Sequence, residues 1–459
     1  MKGFGNQNKS KKTDDLTTKQ YHHQILNNAL KNHSNGNISQ AGKCYQYLID
    51  NGFEDTRVFN NYGMILIRLG KLKDAELSIR KAIELNPKDA EAHSNLGIIL
   101  KDLGKLKDAE LSIRKAIELN PNFAAAFHSL STLNYSNKNQ IWQDQLFSEN
   151  ILKNNSKKDQ IDIYFARANI LHKEKNYKES ARYLELANEL KLILNPSKPD
   201  ILINKSKSLL VESKKTDINH KENKKYPQSI FIVGMPRSGS TLIESILSMN
   251  TSVQDLGEIN ILEESYEEQR KNSQESTLAE LYWQKVNNKQ EKWKITTNKW
   301  LYNYQYTGII ASQIPNVIII HSFRNHLDNI LSIYRAHFTR GNKYSSSLID
   351  CAKVYLDQEK IMAEYKNKFR SNIYDLNYDS LVSNPKEEIQ SLISYLGWEW
   401  DSAYLTPHLN QRSVSTASVV QVRSPINSKS IGGWENYKEM LKPAIEILTE
   451  NDIYRDLTS

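Results

Sequence analysis

The stretch LGKLKDAELSIRKAIELNP runs from Leu69 to Pro87 and recurs without a change from Leu103 to Pro121. The offset from Leu69 to Leu103 is 34 residues, and self-similarity at such a period specifies a stack of small supersecondary units. Each unit reads as two amphipathic helices. Tyr62-Gly63 and Leu96-Gly97 lie in the first, where a small residue lets the partner helix approach. Ala75, Ile79, Ala82 and Ile83 recur at helical spacing in the second. Pro87 and Pro121 each follow an Asn and end that helix, because proline disfavours helical geometry in the residue before it.

Period and pattern together resemble the tetratricopeptide repeat. Weaker copies flank the clear pair. Gly36, Ala41 and Tyr45 fit a preceding unit, and the stretch from Tyr164 to Leu190 fits a later one, with Ala168, Tyr177, Ala181 and Ala187 in register. That makes about four or five units, above the roughly three a stacked solenoid needs. The regular Gly and Pro breaks argue against a coiled coil. The resemblance implies a concave surface for a peptide or partner protein, or self-association as a homodimer, and says nothing about chemistry.

Residues 1–19 are polar and expected to be disordered, and residues 20–212 are expected to form the solenoid, closed by a capping helix from Asp200 to Glu212. Residues 213–228 are charged and nearly devoid of apolar side chains, which reads as a linker. Residues 229–459 alternate short β-rich runs with amphipathic stretches, the pattern of βαβ units. The expected fold is therefore an α-solenoid followed by a phosphate-loop-type α/β domain with a parallel sheet.

With 39% hydrophobic residues the chain can build such cores. No apolar run reaches membrane-span length, and Met1 to Leu16 has no apolar core, so neither a membrane span nor a signal peptide is expected. Cys44 and Cys351 are the only cysteines, which disfavours a disulfide framework or a cysteine metal site and suits a reducing cytoplasm. The net charge of +8 is spread along the chain, so it suits anionic ligands without marking a nucleic-acid partner.

The second constraining feature is Gly234-Met-Pro-Arg-Ser-Gly-Ser-Thr241, between a β-branched run (Ser229 to Val233) and a helical stretch (Leu242 to Met249). Gly234, Gly239, Ser240 and Thr241 have the spacing of a nucleotide phosphate loop in its strand–loop–helix context. Backbone amides of such a turn and the positive helix end attract anions. Ser240 stands where a kinase needs Lys, and the next evident strand, Val317 to His321, runs into Arg324 with no acidic magnesium ligand. Arginines replace the metal. This disfavours phosphoryl transfer and leaves open sulfuryl transfer, whose group carries less charge.

Pro236 to Leu242 resembles the 5′-phosphosulfate loop of sulfotransferases that use 3′-phosphoadenosine 5′-phosphosulfate (PAPS). The pattern is nearest to the bacterial tetratricopeptide-repeat branch and more distantly like the protein-tyrosine sulfotransferases. Arg324 to Ser332 resembles the family's 3′-phosphate element, in which Arg324 and Ser332 would hold that phosphate. The resemblance implies transfer of the sulfuryl group of PAPS to an acceptor hydroxyl, a protein tyrosine being one candidate, with 3′,5′-diphosphoadenosine released and no metal. It places Pro236, Arg237, Ser238, Gly239, Ser240 and Thr241 on the donor, Glu258 as general base and Lys299 on the bridging oxygen, with Arg237 assisting catalysis. Asp255 and Glu263 are the alternative bases. Tyr378 resembles a nucleotide contact, and Ser418, Arg423 and Lys429 fall in a closing loop. His321 is read as capping a buried strand. Two other readings remain: a repeat adaptor that binds a nucleotide without turnover, and a phosphate-loop kinase.

Overall fold

A computed structural model of the chain describes residues 7–133, 141–215, 226–271, 276–287, 294–339, 341–410, 412, 416 and 418–458. It divides into two compact units, Met1–Asn155 with Arg412–Ser415, and Ser156–Gln411 with Thr416–Ser459.

The first unit is a run of helices: α1 (Gln7–Ser34), α2 (Ile38–Asp50), α3 (Thr56–Arg68), α4 (Leu72–Leu85), α5 (Ala90–Asp102), α6 (Leu106–Leu119), α7 (Ala124–Ser131), α8 (Ile141–Phe147) and α9 (Glu149–Lys153). Residues 7–34 are therefore helical, where 1–19 were expected to be disordered, and 1–6 lie outside the described residues. The repeat's packing is visible atom by atom. A Cβ on Gly63 would lie 2.6 Å from Ile79 Cδ1, and one on Gly97 would lie 2.3 Å from Ile113 Cγ1. Ser78 Oγ donates to the Phe59 carbonyl at 2.8 Å and Ser112 Oγ to the His93 carbonyl at 2.9 Å, the same bond one repeat apart. Between repeats, Asn95 Nδ2 donates to Asn60 Oδ1 at 3.0 Å, and Lys105 pairs with Glu76 at 2.8 Å. α4 and α6 end at Leu85 and Leu119, just ahead of Pro87 and Pro121.

The second unit begins with a hairpin of α10 (Lys157–Lys173) and α11 (Tyr177–Leu194), then α12 (Pro199–Lys214). Five parallel strands follow: β1 (Gln228–Gly234), β2 (Val253–Asp255), β3 (Ile295–Asn298), β4 (Val317–Phe323) and β5 (Ile373–Asn377), in the order β2-β3-β1-β4-β5. The connecting helices are α13 (Ser240–Leu247), α14 (Ile261–Lys271), α15 (Leu278–Asn287), α16 (Thr307–Gln313), α17 (His326–Tyr334), α18 (Leu348–Phe369), α19 (Tyr378–Ser383) and α20 (Pro385–Tyr395). A short α21 (Val419–Val422) and α22 (Lys438–Thr449) end the unit.

Successive strand side chains point to opposite faces, and both faces of β1 are buried. Phe231 and Val233 pack on Leu209 of α12, Tyr282, Ile309 and Tyr365. Ile230 and Ile232 pack on Ile243 and Ile246 of α13 and on Ile389 and Leu392 of α20. A third cluster joins Phe165, Ala168, Leu184 and Ala187 of α10–α11 to Leu327, Ile330 and Leu441. The hairpin read as a later solenoid unit, and the helix read as its cap, thus build the core of the sheet-bearing unit. The compact division falls at Asn155, whereas a linker was expected at 213–228, of which 216–225 lie outside the described residues. Leu209 of α12 is buried in the core of the second unit with Leu210 packed against that core, and this apolar face accounts for the difference.

Candidate active site

Parallel strands deliver their carboxyl ends to one edge of the sheet, and a crevice forms where the order reverses. Here β1 lies between β3 and β4. The phosphate loop leaves β1, Glu258 follows β2, Lys299 follows β3, Arg324 follows β4, and Tyr378 follows β5. Five stretches far apart in sequence converge on one edge.

β2 and β3 bring Glu258 and Lys299 together. Asp255 pairs with Thr297, and the Lys299 amide donates to the Gly257 carbonyl at 3.0 Å, which extends the ladder beyond the strands. Lys299 Nζ then donates to Glu258 Oε1 at 2.8 Å. The lysine side chain is 2% exposed and the glutamate 42%, so the pair has a dry cation and an open carboxylate. Beneath them Glu244 of α13 is 0% exposed, accepts from Thr297 Oγ1 at 3.1 Å and lies 3.9 Å from Lys299 Nζ. Of the alternative bases, Glu263 is ion-paired with Lys205 of α12, and Asp255 ends β2.

The loop needs its glycines for definite reasons. A Cβ on Gly234, whose φ is 143°, would lie 2.2 Å from the Ser322 carbonyl oxygen. One on Gly239, φ 102°, would lie 2.3 Å from the Tyr378 ring. Arg237 itself takes φ 68°, a left-handed conformation that costs an L-residue energy and is found at sites held by their surroundings. The surroundings are on view. Ser322 Oγ donates to the Ser238 carbonyl at 2.8 Å, and Asn329 Nδ2 donates to the Pro236 carbonyl at 3.0 Å. α13 starts at Ser240, with Ser240 and Thr241 buried and no side chain capping its first amides. Ser238 Oγ is buried and has no hydrogen-bond partner among the described residues. An oxyanion over this turn would satisfy both the amides and the hydroxyl.

Cations accumulate above the loop. Arg237 donates from Nε to Ser332 Oγ at 3.1 Å and through its two terminal nitrogens to Ser418 Oγ at 2.5 Å and Gln421 Oε1 at 3.0 Å. Burial, and then the neighbouring Arg324 and Arg335, lower its pKa to about 10, while Tyr378 and Glu258 act the other way. Arg324 stacks over the Tyr378 ring at 4.8 Å and donates to the Ser430 carbonyl at 2.7 Å. Its Nε is buried without a hydrogen bond among the described residues, with Asp379 Oδ1 3.9 Å away. Asp328 accepts from the Gly432 and Trp434 amides at 2.7 and 3.0 Å, tying the segment after Lys429 to α17. Desolvation raises the Asp328 carboxyl above its ordinary value despite those amides.

The structure thus brings Pro236, Arg237, Ser238, Gly239, Ser240, Thr241, Glu258, Lys299, Arg324, Ser332, Tyr378 and Ser418 to one edge, with Ser332 and Ser418 both on Arg237. Arg423 instead donates to the Asn410 carbonyl, and the Lys429 side chain is exposed. His321 is buried within β4 rather than at its end, between Asp375 at 3.2 Å and the Gln358 amide at 2.8 Å. Sequence reasoning missed Glu244, Arg335 and Gln421. Arg335 lies three residues beyond Ser332 on the same helical face, and that spacing was the available signal. Among the described residues no group of three or more His, Cys, Asp or Glu is placed to hold a metal ion, and no helix is long and apolar enough to cross a membrane.

Residues 227–402 match the model of the sulfotransferase family. Residues 56–89, 90–123 and 161–192 match tetratricopeptide-repeat models. The chain carries tetratricopeptide repeats and a sulfotransferase-family domain. An uncharacterized protein of Aquifex aeolicus (strain VF5) is 30% identical over 244 residues, covering 48% of this chain and 32% of that protein. The chain therefore spans about a third of the length of that relative. Among solved structures, the sulfotransferase domain from the curacin biosynthetic pathway is 16% identical with a TM-score of 0.35, covering 49% of this chain and 97% of that one. Mouse sulfotransferase SULT7A1 complexed with PAP is 16% identical with a TM-score of 0.33, covering 55% and 94%. The sulfotransferase domain as matched begins at the residue before β1, so the α10–α11 hairpin that packs on it belongs by sequence to the repeats.

Proposed function

We propose that the domain transfers the sulfuryl group of PAPS to an acceptor hydroxyl. The observation that carries this reading is the Glu258–Lys299 pair at the same sheet edge as a phosphate loop whose Arg237 has Arg324 and Arg335 for neighbours. The loop amides, Ser238 and Thr241 would hold the 5′-phosphate, and Arg324 and Ser332 the 3′-phosphate, with Tyr378 against the nucleotide. The acceptor's proton passes to Glu258 as the acceptor oxygen bonds to sulfur. The bond from sulfur to the bridging oxygen breaks, and the charge on departing 3′,5′-diphosphoadenosine is met by Lys299 and Arg237. The repeats of the first unit would bind the acceptor or a partner protein, a tyrosine-bearing peptide being the acceptor they suit best.

The test combines binding with turnover. Arg324→Ala should weaken calorimetric binding of 3′,5′-diphosphoadenosine by about 1.5–3 kcal/mol and leave adenosine 5′-phosphate nearly untouched, since only the former carries the 3′-phosphate. Glu258→Gln should lower transfer from labelled PAPS by roughly 10²–10⁴-fold at unchanged nucleotide affinity. Nucleotide binding with no transfer to any hydroxyl acceptor would favour an adaptor.

A further inference from the structure

Glu244 is the least expected side chain in the second unit. It lies on α13 among Ile243, Ile246 and Leu247, all fully buried, and is itself 0% exposed. Burying an isolated carboxylate costs several kcal/mol, so a helix position that packs an apolar core should not hold one without cause. Its contacts supply the cause. One oxygen accepts from Thr297 Oγ1, two residues before Lys299 on β3, and the other faces Lys299 Nζ at 3.9 Å. The lysine therefore stands between two carboxylates of opposite character. Glu258 touches it at 2.8 Å and is open to the crevice, while Glu244 is sealed on the buried side of the phosphate loop's own helix.

We propose that Glu244 is a positioning residue that holds the Lys299 ammonium in place while Glu258 is engaged by the acceptor. The inference rests on the sulfuryl-transfer reading. When Glu258 takes the acceptor's proton it becomes neutral, and the anion that held Lys299 in the resting site is lost. Glu244, 0% exposed and out of the acceptor's reach, stays 3.9 Å from the ammonium at that moment. Lys299 then turns from Glu258 to the bridging oxygen without becoming an unpaired buried cation. Because Glu244 belongs to the helix that opens with Ser240 and Thr241, the same element that presents amides to the 5′-phosphate also anchors the lysine that neutralises it. Glu244 touches no reacting atom.

A double-mutant cycle tests this in the full chain, comparing wild type, Glu244→Gln, Lys299→Met and the double variant. Transfer from labelled PAPS, calorimetric binding of 3′,5′-diphosphoadenosine and thermal melting are read on all four. Glu244→Gln should lower kcat on the order of tenfold with KM little changed, and should lower it no further when added to Lys299→Met. Glu244→Asp should recover part of the loss. In melting, the double variant should be at least as stable as Lys299→Met, since it removes the carboxylate which that change strands. Equal fold-losses in both backgrounds would show a merely structural role and overturn the proposal. Should Glu244→Gln fail to fold, Thr297→Val removes the hydroxyl that orients the carboxylate, and the same pattern at smaller size is expected. A wild-type chain that binds 3′,5′-diphosphoadenosine but transfers nothing overturns the reaction alone. The binding cycle then decides, non-additivity supporting Glu244 and additivity opposing it. A chain that does not bind that nucleotide overturns both.

Discussion

The repeats at α3–α6 and the hairpin α10–α11 match tetratricopeptide models alike, yet they are used in different ways. In the first region a repeat packs on its own copy. Gly63 seats Ile79 and Gly97 seats Ile113, Ser78 and Ser112 make equivalent bonds, and the links between units are Asn95 to Asn60 and Lys105 to Glu76. In the second region the hairpin packs on the sulfotransferase core. His172 Nδ1 lies 2.8 Å from the Tyr437 hydroxyl, which donates to Ser180 at 2.9 Å. Asn188 Nδ2 donates to the Tyr334 carbonyl at 3.1 Å, and His337 pairs with Asp162 at 2.8 Å. Tyr334 ends α17, the helix of Ser332. One hairpin design serves a self-stacking array in one place and the flank of the sheet-bearing core in another. What decides is the partner presented to its apolar stripe.

The largest expected effect comes from cutting at the two candidate boundaries. A fragment of residues 156–459 should fold and bind 3′,5′-diphosphoadenosine, whereas one of residues 227–459 should be insoluble or molten. The shorter piece exposes the surfaces that Phe165, Leu184, Ala187 and Leu209 cover. At about 1.5–3 kcal/mol for each large apolar side chain, that loss rivals the roughly 5–15 kcal/mol stability of a domain. Circular dichroism and calorimetry on both fragments check it, and a folded, binding 227–459 fragment would place α10–α12 back with the solenoid.

Tyr437→Phe should cost less. It removes the group shared by His172 and Ser180, and leaving buried partners unpaired is worth about 1–3 kcal/mol. Only the melting transition of the second unit should move. A fall in both transitions would contradict the separate use of the two kinds of hairpin.

The third effect is conditional on pH. Burial, followed by the charges of Arg335 and Lys173, lowers the His172 pKa from 6.5 to about 3. The folded unit therefore resists a proton that the unfolded chain accepts. The stability that a neutral His172 contributes is present above pH 6.5 and is lost as pH falls toward about 3. Denaturant titrations of His172→Gln should show a flatter acid limb for the second unit, and an unchanged limb would assign the acid sensitivity elsewhere.

The smallest effect belongs to the outer face of the array. Leu77 and Leu111 occupy equivalent positions and are 69% and 68% exposed, so either change to Gln should alter stability by no more than about 0.5 kcal/mol. A larger loss would mean that the face is covered in solution.

Much of this was legible in the chain. Periodicity marked the paired helices of α3–α6, and the proline breaks lay two residues past the ends of α4 and α6. Apolar β-branched runs marked β1 and β4, and glycine spacing marked the phosphate loop. These signals are local, because helical period, left-handed turns and strand propensity act over a few neighbouring residues. β3 was passed over, since ITTN is short and polar in the sequence and is buried only because β1 and β2 flank it. Glu258 and Lys299 were named through family resemblance, but nothing along the chain showed that they touch. Glu244 gave no signal at all, because one acidic residue in an amphipathic helix reads as solvated.

By itself, then, the sequence determined a repeated helical hairpin, a strand-borne anion loop and a set of cations to accompany it. Only the tertiary structure decided which hairpins stack on one another and which complete the sulfotransferase core. It also decided that Lys299 stands between an open and a sealed carboxylate, and that Ser332, Ser418 and Gln421 all meet on Arg237. The reason is that burial and charge pairing depend on strand order and register. Those are fixed by packing between distant segments, and no window of neighbouring residues contains them.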